Sequence, residues 1–395
     1  MRVFDELCPA PPYWDLDWER VREAFPWVRD LAGVEQDPVH HAEGDVEVHT
    51  RMACEALAGL PAWRARPAPE RVRLFAAVLM HDVAKPYCTR RDGEGRVTAH
   101  GHSRRGDLMV RRLLWESGAD GAARSGRATE AEHLAAAEWR EHVAALVRHH
   151  QVPFWALERP DLRQIAFRVS LLARNDDLVL LATADILGRR CADASEVLDS
   201  IGLYGEYCAE QRCLDRPRDF PSDHARFWFF RKPDRDPDYA AHDDTRASVT
   251  VMSGLPGAGK DTWIARHLPD TPVVSLDALR TELGVRPTAD QRPVAAAAHE
   301  RAREHLRAGR PFVWNATNVS RQVRDQCVGL AAAYRARVEI VSVEAPPKVL
   351  RARLDRRASP VPAAAVERLV RRWECPDPTE AYRLVRVASG GQGPR

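Results

Sequence analysis

Two sets of residues in this 395-residue chain have the types and spacing to act on phosphate. The first is an ordered series of imidazoles and carboxylates: His49, the doublet His81-Asp82, His100 and His102, His149-His150, and Asp185. Such nitrogen and oxygen donors together suit borderline divalent metals such as Mn, Fe, Co, Ni or Zn. The series can hold one ion or two, and a two-ion site can direct water against phosphorus. Lys85, four residues after His81, is spaced to face the same pocket and bind phosphate. Any one of these histidines alone is more often structural or surface-lying. The order of the whole set is what points to metal.

The second set is Gly254-Leu255-Pro256-Gly257-Ala258-Gly259-Lys260-Asp261-Thr262, placed after a β-like run and before a helical one. That is the context of a P-loop, in which glycines let backbone N–H groups converge on phosphate oxygens and the helix start adds positive potential. Lys260 then reaches the β and γ phosphates of a nucleoside triphosphate such as ATP. The next position usually carries a Ser or Thr that ligates Mg²⁺, but here it is Asp261. Either Thr262 supplies the hydroxyl or the carboxylate acts through water.

Further on, Asp277 lies at the tip of the second strand, where a carboxylate can take the proton from an attacking hydroxyl. Arg280, one turn later, is spaced to bind an acceptor phosphate. Asp277 as a helix N-cap is an equally compatible reading. Arg351, Arg353, Arg356 and Arg357 crowd one helix end, from which arginines can close over a γ-phosphate. For any single one of them a solvated basic face is the competing reading.

The elements that must position these groups fall into two kinds. Ten of the fifteen histidines lie between His40 and His150, in a region of helical periodicity without convincing strands. Helices are predicted over 46–57, 70–82, from a Thr129/Glu132 capping box toward His150, over 162–173, and over 177–187. After Ala247 short β-like runs (248–252, 272–276, 311–314, 338–343) alternate with helical stretches (262–268, 294–308, 321–333, 348–357), the pattern of a parallel sheet with helices on its faces. The fold class is therefore multidomain: an all-α N-terminal bundle over 1–214, a connector over 215–246, and an α/β P-loop domain over 247–395. Prolines punctuate the connector, and its aromatic cluster (Phe227 to Phe230) predicts that it packs on something.

Composition narrows the classes. A charge of +2, from 59 basic and 57 acidic residues, demands no extensive nucleic-acid coat, although a local basic groove is compatible with it. With 55 of the basic residues arginine, the four lysines stand out, and two of them, Lys85 and Lys260, fall in the motifs above. The longest apolar run, Leu74 to Met80, is far short of a membrane span. Eight cysteines without a CxxC pair and an N-terminus unlike a signal peptide predict free thiols in a cytoplasmic protein.

The stretches GLPGAGKDT, SLDALR and Trp314-Asn315-Ala316-Thr317-Asn318, with the Arg-rich segment, resemble the 5′-hydroxyl polynucleotide kinases of bacteriophage and bacterial end-healing systems. The resemblance implies Lys260 on phosphate, Asp277 as general base, Arg280 on the acceptor strand, and Arg353 with Arg356 or Arg357 as a lid. The histidine series, with His40-His41-Ala42-Glu43-Gly44-Asp45 and Leu79 to Lys85, resembles the HD phosphohydrolase superfamily. That implies His49, His81, Asp82 and Asp185 as core ligands, with His102 (or its rival His100) and one of His149 or His150 completing a second position. The pairing resembles the bacterial HD-domain polynucleotide kinase family, whose members are bifunctional end-healing enzymes. It implies a metal-dependent 2′,3′-phosphoesterase joined to an NTP-dependent 5′-OH kinase, acting on RNA or DNA ends ahead of a separate RNA ligase. Two alternatives stand beside it: a nucleoside or metabolite kinase fused to a nucleotide phosphohydrolase, and a non-catalytic nucleotide sensor, which Asp261 would favour.

Overall fold

A helix whose C-terminal half is buried on every side organises the N-terminal region. The apolar run from Leu74 to Met80 closes the helix Ala68–Met80, and each of its residues is at most 1% exposed. A helix apolar all round must sit at the centre of its bundle. Its end therefore delivers His81 and Asp82 into the interior. The computed structural model describes residues 2–118, 129–232, 234–357 and 361–389. Within them the chain forms two compact units, one of Met1–Arg124 with Ala135–Arg218 and one of Ser125–Leu134 with Asp219–Arg395.

The first unit is helical. Val46–Gly59 is capped by Asp45, whose carboxylate accepts from the Val48 amide. Its buried face presents His49, Ala53, Cys54 and Leu57. Asn175–Leu187 packs closely against it. A Cβ on Gly188 would lie 2.6 Å from the Ala53 nitrogen, so a side chain there would push the two helices apart. This approach brings Asp185 to His49. Glu130–His149 begins with the reciprocal capping pair, in which the Thr129 amide donates to the Glu132 carboxylate at 2.7 Å and the Glu132 amide donates to the Thr129 hydroxyl at 3.2 Å. One feature departs from the strand-free expectation, a hairpin pairing Arg90–Arg91 with Val97–Thr98. Two residues per strand are too few to leave a periodic signal.

The second unit contains a five-stranded parallel sheet in the spatial order Val273–Ser275, Phe312–Asn315, Ala247–Ser253, Ala336–Glu344, Arg383–Ala388. Alternate residues bury opposite faces. Val249, Val251, Phe312, Trp314, Val338 and Ile340 enter one core, while Met252, Val313, Val341 and Val343 enter the other with Ala258 and Ile264. Burial on both faces is what a parallel sheet requires. The strand Arg383–Ala388 and the helix Ala363–Val370 lay outside the predicted elements. This strand pairs on one side only, with Ala336–Glu344, and its arginines interrupt the apolar pattern that marks interior strands.

The aromatic cluster at Phe227 belongs to this second unit. Ser222 caps the helix Asp223–Arg231, and the Phe227 ring stacks on Tyr382 with centroids 4.2 Å apart. A buried pair, Arg324 with Glu380, ties Arg321–Ala333 to the chain before the last strand through N–O distances of 2.7 and 2.9 Å. Arg324 also donates to the carbonyls of Asn318 and Glu374. Removing one member of such a pair leaves the other charged and buried. Arg324→Ala is expected to lower unfolding free energy by about 3–5 kcal/mol in a denaturant titration. A loss within error would mean that water takes the place of the guanidinium.

Candidate functional site

In the first unit four imidazoles converge from separate segments. His49 comes from Val46–Gly59, His81 from the end of Ala68–Met80, His102 from the start of His102–Ser117, and His150 from the turn after Glu130–His149. All four are nearly or fully buried. His49 Nε2 lies 3.2 Å from His81 Nε2, and His102 Nε2 lies 3.3 Å from His150 Nε2. Asp82 stands between the pairs. Its Oδ2 is 3.2 Å from His81 Nε2 and 3.7 Å from His49 Nε2, and its Oδ1 is 3.4 Å from His102 Nε2. Two three-residue donor groups share Asp82, His49/His81/Asp82 and Asp82/His102/His150, and a third, His41/Glu43/His49, adjoins the first through His49.

The second ring nitrogens explain the orientation. Nδ1 of His81, His102 and His150 lies 2.7, 2.7 and 2.8 Å from the carbonyls of Val78, Ala99 and Val147. A carbonyl only accepts, so each Nδ1 carries a proton and each ring turns its Nε2 toward the centre. His49 Nδ1 lies 3.0 Å from Glu43 Oε1 without completing a hydrogen bond of good geometry. Nitrogens that face one another at these distances share either a proton or a metal cation. Neither carboxylate oxygen of buried Asp82 completes a hydrogen bond of good geometry. Grouped donors of this kind could hold divalent cations, with His49, His81, Asp82, His102 and His150 as the holders.

Charge is uneven across the cluster: burial alone would lower the His81 imidazole, but Asp82 beside it outweighs burial and raises it. Burial pushes the His150 imidazole down to about 3, and it also lowers His102. Burial alone would raise the Asp82 carboxyl, but His81 and Lys85 outweigh it and hold it well below the usual carboxylate range. Lys85 Nζ is 2.7 Å from Asp82 Oδ2 and donates to Gln36 Oε1 at 2.7 Å. Asp185 Oδ1 is 3.2 Å from His49 Nε2, while both its oxygens are clamped by Arg189 at 2.9 Å. Asp185 thus lies at the edge of the cluster and outside these donor groups.

The structure also separates the alternatives left by the sequence. His102 is buried and His100 exposed, and His150 joins the cluster while half-buried His149 does not. Three contributors were not assigned from sequence. Glu43 bridges His49 and His41, with His41 Nδ1 at 2.8 Å from its Oε1. Arg189 steadies Asp185, and Gln36 holds Lys85. Arg189 was findable, since it follows Asp185 by one helical turn. Gln36 carried no such signal.

In the second unit the glycine loop leaves the central strand of the sheet, whose neighbours on either side come later in sequence. Ligands bind at this switch point, beyond the carboxyl ends of the strands. Gly254 has φ +154, and a Cβ there would lie 2.3 Å from the Val343 carbonyl, so only glycine fits. Gly257 and Gly259 also have positive φ, and Lys260–His267 starts directly after them. Lys260 Nζ donates to the carbonyls of Gly254 and Leu255 at 2.9 and 3.2 Å. Burial pushes its ammonium down to about 8 against the pull of Asp261 and Asp277. Ala258 packs beneath the loop, and Asp261 and Thr262 are exposed in the first helical turn.

Asp277 is not the N-cap of its helix. Ser275 is, accepting from the Ala278 amide, and Asp277 stands exposed in the first turn with its carboxylate against Arg280. Arg280 also donates to Gln291 Oε1 at 2.7 Å. Arg353 reaches back over the loop to the carbonyls of Gly257 and Ala258 and to Ser389 Oγ at 2.7 Å. The positive charge of Arg357 is close enough to act on Lys260. Arg351 and Arg356 are exposed.

These features give the second unit the loop, sheet order and helix start of a P-loop nucleotide-binding domain. Residues 249–376 match the model of the AAA domain family. Among similar solved structures, a sugar kinase from Janibacter sp. HTCC2649 is 19% identical, over 36% of this chain and 85% of that one, with a TM-score of 0.28. A gluconokinase from Sinorhizobium meliloti 1021 is 23% identical, over 38% and 86%, with a TM-score of 0.28. Kti12 of Chaetomium thermophilum, solved in complex with ADP-AlF3, is 22% identical, over 35% and 88%, with a TM-score of 0.27. No curated protein matches the chain. Among the described residues no helix is long and apolar enough to cross a membrane.

Proposed function

We propose that the chain is a bifunctional nucleic-acid end-healing enzyme. Its helical unit is an HD-type 2′,3′-phosphoesterase and its α/β unit a 5′-hydroxyl polynucleotide kinase. The observation that carries the reading is Asp82, a buried carboxylate shared by two imidazole pairs, in the same chain as a P-loop with the Asp277–Arg280 pair beyond it. Breakage of RNA by transesterification leaves a 2′,3′-cyclic phosphate on one fragment and a 5′-OH on the other. Two sites that mend one terminus each are chemically coherent in one polypeptide, and a separate ligase can then seal the ends.

In the helical unit, a bound divalent pair supplies Lewis-acid activation of the phosphate ester and of attacking water. The side chains do the rest. Asp82 and the imidazoles of His49, His81, His102 and His150 would hold the cations, and Lys85 would turn from Asp82 to bind a phosphate oxygen. In the kinase unit, Lys260 neutralises the β and γ phosphates. Asp277 takes the proton of the 5′-OH, Arg280 parts from it to bind the acceptor's phosphate, and Arg353 with Arg357 closes over the transferring group.

The test is an RNA carrying both a 5′-OH and a 2′,3′-cyclic phosphate, incubated with ATP, Mg²⁺ and Mn²⁺. The expected products are a 5′-phosphate and a 2′,3′-diol. Phosphorylation of free nucleosides or sugars with no transfer to the oligonucleotide would instead favour a small-molecule kinase. Nucleotide binding without turnover at either end would favour a sensor.

A further inference from the structure

The residue after the P-loop lysine, Asp261, accepts a hydrogen bond of 2.6 Å from the side-chain amide of Asn315. Asn315 ends the strand Phe312–Asn315, which lies directly beside the strand that feeds the loop. In P-loop NTPases these two places are usually filled the other way round. A neutral Ser or Thr hydroxyl follows the lysine, a carboxylate comes from a strand, and the two together hold Mg²⁺. On the reading of this unit as a P-loop kinase, we infer that the two roles have been exchanged: Asp261 supplies the anionic Mg²⁺ ligand from the helix, and Asn315 is the neutral partner that aims it.

Charge and hydrogen-bond polarity both support the exchange. The pair still carries one negative charge, as a hydroxyl–carboxylate pair does. The donor and acceptor have swapped places, for the amide of Asn315 donates where a strand carboxylate would accept. One oxygen of Asp261 is engaged by Asn315, which fixes the carboxylate plane and leaves Oδ2 as the remaining donor to the cation. A carboxylate is a stronger ligand for a hard cation than a hydroxyl. Asp261 therefore does not mark a failed nucleotide site, and Thr262 is not needed as the first protein ligand. The position that weighed toward a non-catalytic sensor becomes part of the metal site.

The exchange predicts a reciprocal rescue. ATP binding to the full-length chain is measured by calorimetry with Mg²⁺ and with EDTA. Asp261→Ser removes the charge, and Asn315→Asp sets two carboxylates against each other. Each alone is expected to weaken Mg²⁺-dependent affinity by about ten- to a hundredfold, the usual cost of disturbing a metal ligand or its partner. The double variant Asp261→Ser/Asn315→Asp rebuilds the common arrangement and is expected to return to within about threefold of wild type. Affinity in EDTA changes little in any of them. Asp261→Asn, an exposed isosteric change that keeps the shape, serves as a second charge-removing variant if Asn315→Asp folds poorly. Unchanged Mg²⁺ dependence in Asp261→Ser and Asp261→Asn, or a double variant no better than the single ones, overturns the exchange. Wild-type protein that binds no ATP, or a Lys260→Ala variant that binds it as tightly as wild type, instead overturns the P-loop reading beneath it.

Discussion

Asp82→Ala is expected to abolish hydrolysis of a 2′,3′-cyclic phosphate, by about 10³-fold or more, while 5′-phosphorylation of an oligonucleotide proceeds at the wild-type rate. The size follows from position. Asp82 belongs to two donor groups, so on the proposed reading its loss would disturb both at once. A factor of 10³ is about 4 kcal/mol of barrier, well within what metal activation of a phosphate ester contributes. The same variant is expected to release divalent metal from the purified protein, read by elemental analysis. Asp82→Asn keeps the volume and separates loss of charge from loss of shape. In either variant Lys85 loses the carboxylate 2.7 Å from its ammonium, so the melting temperature is measured alongside. Phosphoesterase activity that persists in both variants, with metal still bound, would remove the assignment of this cluster. Retained hydrolysis without metal would point to a different site on the chain.

The second large effect is expected at the P-loop. Lys260→Ala should lower kinase turnover by about 10²–10³-fold, the scale of losing one preorganised positive group on developing charge. Phosphoesterase activity should remain. The ammonium also predicts a pH profile. In the nucleotide-free protein burial holds Lys260 down to about 8, against an ordinary value of 10.5. A bound triphosphate favours the charged form, so binding takes up a proton wherever the free protein has lost it. The sign is therefore a loss of affinity as pH rises. Nucleotide affinity should be flat below pH 8 and fall by up to about tenfold per unit above it. Lys260→Arg keeps its charge throughout and should flatten that profile, although its guanidinium fits the loop poorly. A wild-type profile that stays flat to pH 9.5 would mean that the ammonium is not titrating. Loss of both activities from Lys260→Ala would mean that the two units do not work independently.

How much of this was legible before folding differs between the units. The glycine loop is local: strand, turn, lysine and helix follow one another within about twenty residues, so a short window carries its chemistry. The structure adds the reason for one member, since the Val343 carbonyl leaves no room for a side chain at Gly254. Asp277 shows the limit of spacing arguments. Capping and proton transfer were equally compatible with its position, and the backbone chose Ser275 for the cap. The last strand was invisible because an edge strand can carry arginines where an interior one needs apolar side chains.

The helical unit was legible in composition but not in arrangement. Residue types and their order along the chain raised the expectation that imidazoles and carboxylates from separate helices meet, and the structure adds that the helix before His81 ends in the interior. Choosing His150 over its neighbour His149, or His102 over His100, depended on which way each helix end turned. That direction is set by packing between segments about a hundred residues apart, as where Gly188 lets two helices touch beside Asp185. Second ring nitrogens found carbonyls, and Glu43 found His49, only once those segments were stacked. Local sequence therefore settled which groups were present and which were paired with a phosphate-binding turn. Tertiary packing decided which ring nitrogens face one another, because that depends on distances in space that no spacing along the chain encodes.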